Sequence, residues 1–141
     1  MTPRIVILHC TDTPDHQPGE QGYNTVTRGD VYRWHVTENG WSDIAYHYLV
    51  LQDGTLVECR PITRQGAHTY GHNKDSVGVC YVGKSTPNTL QISSLISLAN
   101  ILQKSYGLGP HDWYGHNEFT KAKTCPGFSM VMFRILLQGY M

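Results

Sequence analysis

Residues 5–10 read IVILHC, an almost unbroken apolar run that ends on a histidine and a cysteine. A strand with one covered face alternates apolar and polar side chains. A strand that is apolar at successive positions has to be covered on both faces, as in a sheet sandwiched between helices. This segment therefore points to an α/β fold, a central mixed sheet flanked by helices, with His9 at the carboxyl end of a central strand.

The rest of the chain supplies the expected neighbours. Residues 11–26 (TDTPDHQPGEQGYNTV) carry Pro, Gly, Asp and Thr without periodicity and read as a long surface loop, one wall of a cleft. Thr27 with Asp30 three residues later marks a helix start, Val31 and Trp34 follow, and Gly40 is a C-terminal stop. In AYHYLVLQDGTLVEC two strand-like runs meet at Asp53-Gly54, a two-residue hairpin signal because both positions tolerate positive φ. SVGVCYVG reads as a further strand. Asn88 and Gln91 can cap a longer helix, with Ile92, Leu95, Ile96, Ala99 and Leu102 at helical spacing until Gly107. A short strand is expected near Asp112 to Tyr114, and a last helix over residues 128–137.

At 141 residues, without linker or repeat, the chain is expected to be one domain over residues 1–141 and a monomer. Its formal net charge of zero removes the electrostatic footprint of a phosphate-binding protein, so nucleic acid is not an expected partner. The apolar run Ile5 to Leu8 is too short for a signal-peptide core or a membrane span, so neither export signal nor stable membrane association is expected. The four cysteines then read as free thiols of a reducing compartment. Cys10 and Cys80 sit in strand-like runs where buried thiols are common, and Cys59 reads as packing or surface. Cys125, in a polar loop closed by Pro126 and Gly127, has no such reading.

Eight histidines exceed what composition suggests, yet any one of them taken alone reads as a hydrogen-bonded structural residue. His9, His116 and Cys125 taken together are different: two imidazoles and a thiolate suit zinc's borderline softness, and three protein ligands leave a fourth position open, as in catalytic sites. Their spacing fits no local zinc-finger pattern. Spacing therefore leaves Cys125 open between buried thiol, disulfide half and metal ligand.

Four blocks in order, ILHCTDT, YRWHVTENGWSDIAYHYLVLQDGTLVECRP, GAHTYGHNKDSVGVCYVG and GHNEFTKAKTCPGF, resemble the type 2 N-acetylmuramoyl-L-alanine amidases, the zinc family of short phage lysozymes and peptidoglycan recognition proteins. The resemblance spans His9 to Phe128. It implies one Zn2+ per chain on His9, His116 and Cys125, a catalytic tyrosine at Tyr46 and a catalytic lysine at Lys123, with Lys121 the lesser candidate. Ala45 stands where the family commonly has glycine. The implied activity is hydrolysis of the amide between N-acetylmuramic acid and L-alanine in peptidoglycan. His68, Asn73, Trp41 and Asn117 are expected to contact the muropeptide, and His72 is a lesser candidate. His47 is expected to point away from Tyr46 and to be structural; His16, His35 and His111 read as structural or surface.

The implied setting is that of a phage endolysin, made in the host cytoplasm and reaching the wall after a holin opens the membrane. Two alternatives stay open: a cytoplasmic muropeptide-recycling amidase, whose relatives commonly carry Glu at the Tyr46 position, and a non-catalytic peptidoglycan-binding module, against which Cys125 argues. Binding to a phage polymerase is not expected, because the first strand begins within about five residues of Met1 and leaves no N-terminal arm.

Overall fold

A computed structural model describes residues 1–141. The chain runs through β1 (Ile5–Cys10), helix α1 (Arg28–Tyr32) continued by a π-helical segment over Arg33–Glu38, β2 (Tyr48–Val50), β3 (Leu56–Glu58), β4 (Ser76–Tyr81), helix α2 (Thr89–Tyr106), β5 (Trp113–Gly115) and helix α3 (Met130–Tyr140). Short 3-10 turns at Pro110–Asp112 and His116–Glu118 flank β5.

The apolar run does become a central strand: the sheet order is β3-β2-β4-β1-β5, with β1 parallel to both β4 and β5. Only β2 and β3 pair antiparallel, so the sheet is mixed. Both faces of β1 are covered, which is why its hydrophobicity is continuous. Val6, Leu8 and Cys10 join the large core under α2 and α3, together with Leu95, Leu98, Leu102 and Phe133. The other face packs a smaller cluster, with Val31 of α1 over Leu49 and Cys80. Because successive strand side chains alternate, His9 lies on this second face, and its register partner is Cys80.

Local signals set the element ends. Thr27 and Asp30 form a reciprocal capping box, as do Asn88 and Gln91, and Gly107 closes α2 in the left-handed conformation at φ 72°. The hairpin differs from the two-residue turn expected at Asp53-Gly54. Leu51 N–H bonds the Thr55 carbonyl at 2.9 Å and Gly54 N–H bonds the Leu51 carbonyl at 2.9 Å, giving a three-residue loop. Gly54 alone has positive φ (87°), the signature of a type I turn closed by a glycine bulge. The last helix begins two residues later than its apolar pattern suggests, because Ser129 caps it by accepting from Met132 N–H at 3.2 Å.

Beyond the formal strands, a ladder continues through residues 45–47. His47 N–H bonds Gly78 carbonyl (2.9 Å), Cys59 and Arg60 N–H bond the carbonyls of His47 and Tyr46 (2.9 and 3.0 Å), and Ala67 N–H bonds Ala45 carbonyl (3.1 Å). These bonds hold Tyr46 and the segment carrying His68 against the sheet, beside the carboxyl end of β1, where open α/β sheets hold their ligands.

Candidate active site

At the carboxyl end of β1 a cleft of about 530 Å³ opens on the α1 side of the sheet. His9 forms part of its floor and is 2% exposed. His116, in the 3-10 turn after β5, places Nδ1 3.1 Å from His9 Nδ1, and the ligand atoms of His9, His116 and Cys125 all lie within 4.8 Å of one another. Two imidazole nitrogens and a sulfur converging on a cleft floor fit a borderline-soft divalent ion such as zinc.

The loop that delivers Cys125 is held at several points. Cys125 carbonyl accepts from Asn117 N–H at 2.8 Å, and the Cys125 sulfur accepts from Cys10 N–H at 2.6 Å. The peptide bond from Cys125 to Pro126 is cis. All four cysteines are free, and Cys10 and Cys80 are buried as expected. A hydrogen bond with the Cys10 thiol, together with burial, raises the Cys125 thiol above its ordinary pKa. A cation is the group that would draw that proton off. The turn carrying His116 is fixed from α3, since Arg134 bonds both oxygens of Glu118 at 2.9 and 3.1 Å and the Trp113 carbonyl at 2.7 Å.

Behind His9 a directed chain of hydrogen bonds fixes its tautomer. The Ser76 hydroxyl donates to the His72 carbonyl at 2.5 Å, so at its 3.1 Å contact with His68 Nε2 it can only accept. His68 Nε2 then carries the proton and Nδ1 is an acceptor. His9 Nε2–H donates to that Nδ1 at 2.9 Å, which leaves the His9 Nδ1 lone pair facing His116 and Cys125. The pKa values agree with neutral rings. Burial, then His68 and His116, hold His9 well below its ordinary value; burial and His47 push His68 down to about 3; burial and Lys123 lower His116.

This changes the role expected for His68. It lines the cleft, but Nδ1 is engaged by His9 and Thr69 and Nε2 by Ser76, so neither nitrogen is free for substrate. Two glycines make room for its ring: a Cβ on Gly78 would lie 2.5 Å from it, and one on Gly66 2.6 Å. Asn73 lines the cleft while its side-chain oxygen accepts from His68 N–H and Thr69 N–H, both at 2.8 Å. Trp41 stands at the mouth, 43% exposed. Asn117 does not line the cleft, because the turn aims its side-chain oxygen towards Gly115. His72 lies outside too, its ring tilted against that of Phe119 at 4.3 Å.

Tyr46 lines the cleft with its ring 5.2 Å from that of His9. Burial and the neighbouring Cys80 and Cys125 raise its pKa well above the ordinary value, so the phenol stays a neutral donor. Lys123 lines the cleft and Lys121 does not. His35, read from sequence as structural or surface, reaches the cleft as well. Its Nδ1 accepts from Ala45 N–H at 3.0 Å, and its ring packs between Trp41 (4.8 Å) and Tyr46 (5.4 Å). His47 is fully buried, bonded through Nδ1 to Gly78 N–H and through Nε2 to the Arg64 carbonyl, as expected of a structural residue.

The family model described as N-acetylmuramoyl-L-alanine amidase matches residues 1–128. The endolysin of Enterobacteria phage T3 is 30% identical over 141 residues, covering 92% of this chain and 83% of its own. The endolysin of Escherichia phage T7 is 32% identical over 136 residues, with 89% and 81% covered. Among solved structures, the N-acetylmuramoyl-L-alanine amidase LysC from Clostridium intestinale superposes with a TM-score of 0.81 at 25% identity, covering 97% of this chain and 86% of its own.

Proposed function

The chain belongs to the N-acetylmuramoyl-L-alanine amidase family, and from that premise we propose that it is an endolysin that hydrolyses the amide between N-acetylmuramic acid and L-alanine in peptidoglycan, with zinc held by His9, His116 and Cys125. The observation that carries this reading is the convergence of those three donors on the floor of the cleft. Bound there, zinc would supply a water acidified towards a pKa of about 7 and a Lewis acid for the scissile carbonyl.

The chain's own residues do the rest. The hydrogen bond from His9 to His68 keeps the His9 Nδ1 lone pair available and the ring fixed. Lys123, close enough to His116 to lower its pKa, brings a compact positive charge to the carbonyl oxygen as that oxygen becomes anionic. Tyr46, held as a neutral phenol, donates a hydrogen bond to the reacting oxygen, while the proton that the attacking water loses goes to the departing amide nitrogen. Trp41, at the mouth, offers a flat apolar face to a sugar ring, and Asn73 stiffens the wall that carries His68 and Thr69.

The proposed partner is peptidoglycan, met by a monomer of one domain. No helix is long and apolar enough to cross a membrane; release to the wall by a holin-type lesion is the route that suits an endolysin. Mass spectrometry of digested peptidoglycan tests the reaction. Free L-alanine amino termini with no new reducing sugars are expected, and new reducing ends would replace the amidase by a glycosidase.

A further inference from the structure

We propose that Asp12 is a specificity-determining residue whose carboxylate receives the free ammonium of the diamino acid in the peptide stem, so that the enzyme favours stems that are not cross-linked through that amine. The inference rests on the amidase reading above. Of the Asp, Glu, Lys and Arg side chains of the molecule, only Lys123 and Asp12 line the cleft.

The two charges differ in their commitments. Lys123 lies beside His116, where the carbonyl reacts. Asp12 is exposed at the rim, takes part in none of the ion pairs of the molecule, and its carboxylate makes no hydrogen bond. The neighbouring Asp15, by contrast, accepts from Lys84 and Ser85 N–H at 3.0 and 3.3 Å.

Asp12 is also presented on a fixed support. Its φ is 57°, in the left-handed region that a non-glycine residue enters rarely. The residues on either side are tied to the end of β4: Thr11 N–H bonds Tyr81 carbonyl at 3.0 Å, Thr13 N–H bonds Gly83 carbonyl at 3.3 Å, and Gly83 N–H bonds Thr11 Oγ1 at 3.0 Å. A strained residue held by its surroundings with a free side chain at a reactive cleft is the pattern of a functional contact.

Substrate chemistry says what that contact is. The sugars are neutral amides and alcohols, and the peptide carboxylates are anions that Asp12 repels. The one cationic group on a stem is the side-chain amine of its diamino acid. A cross-link made through that amine turns it into a neutral amide, so a lone carboxylate at the rim distinguishes stems whose amine is free from stems acylated there.

The test uses soluble, un-cross-linked glycan strands with lysine-containing stems, either native or acetylated at the amine. Release of L-alanine amino termini is followed by mass spectrometry, and kcat and KM are taken for each. The wild-type protein is expected to favour the free amine by about threefold to fivefold in kcat/KM, carried by KM and shrinking with salt. Asp12→Asn and Asp12→Gly both tolerate the left-handed backbone, and both are expected to abolish the preference while leaving the acetylated substrate unchanged. Equal losses on both substrates, or a preference that survives in the variants, would overturn the proposal. Absence of release from either substrate by the wild-type protein would overturn the amidase reading itself and this inference with it.

Discussion

The backbone N–H of Cys10 lies 2.6 Å from the Cys125 sulfur, so the residue after His9 steers the thiol that joins His9 at the cleft floor. Strand β1 thus supplies one donor directly and orients a second from the far end of the chain. Purified protein is expected to carry about one zinc per chain. Partners behind metal ligands are worth about 10- to 100-fold in affinity, so Ser76→Ala, which frees the His68 ring, is expected to fall in that range, and loss of a ligand itself to exceed it. Cys125→Ser and His9→Ala should lose both metal, by elemental analysis, and turbidity clearing on permeabilised Gram-negative cells. Zinc retained at full occupancy in both would end the ligand assignment.

Lys121 and Lys123 differ in placement although they are two residues apart. Lys123 N–H bonds the Thr120 carbonyl at 3.0 Å, which turns its side chain into the cleft. Removing one donor from a developing oxyanion costs about 100- to 1000-fold in kcat. Lys123→Met is expected to show a loss of that size with zinc content intact, and Lys121→Met an activity near that of the wild-type protein. The reverse order would move the catalytic charge to Lys121.

What the chain declares locally, it declares well. The capping pairs Thr27/Asp30 and Asn88/Gln91, the left-handed stop at Gly107 and the two-sided burial of IVILHC each depend on a few neighbouring residues, and the fold follows them. Cleft membership is not local. His35 reads as an ordinary helix histidine, and only the π-helical course of residues 33–38 and the Ala45 N–H bring it to the cleft. Asp12 reads as a loop residue because nothing in TDTPD announces a positive φ. Asn117 fails in the other direction: next to His116 in sequence, it is turned out of the cleft by the same 3-10 turn that turns His116 in. His68 is expected from the sequence to contact the muropeptide, and its place behind His9 appears only once Ser76 is known to donate elsewhere.

Gly78 faces the cleft side of β4 opposite Ile7, and the space it leaves is filled by His68. Gly78→Ala would place a methyl 2.5 to 2.9 Å from three ring atoms, with rigid strand on one side and the bond to His9 on the other. Overpacking of this kind costs about 1–3 kcal/mol, and the displaced ring should also weaken zinc binding. Gly139→Ala, which meets nothing within 4 Å, is the control and is expected to be neutral or slightly stabilising. Urea denaturation and zinc titration of the two variants check both halves. A Gly78→Ala protein as stable as the control would show that the ring is not confined.

His47 offers a pH signature separate from the proposed metal donors. Its Nδ1 accepts from Gly78 N–H at 2.9 Å and its Nε2–H donates to the Arg64 carbonyl at 2.7 Å, so a second ring proton would face a backbone N–H. Burial lowers its pKa from 6.5, the bond to Arg64 opposes this, and the Arg60 charge reinforces it. The folded chain therefore refuses a proton that the unfolded chain accepts. Stability from this group is complete above pH about 6.5 and is lost as pH falls below it, at up to about 1.4 kcal/mol per pH unit for each such histidine. His68, with a pKa of about 3, acts in the same direction. In chelator, denaturation midpoints should fall steadily from pH 7 to pH 5, a window above the carboxylate titrations. His47→Gln is expected to be less stable at pH 7 and to fall less steeply. An unchanged slope in that variant would mean that His47 takes up protons equally in the folded and unfolded chains.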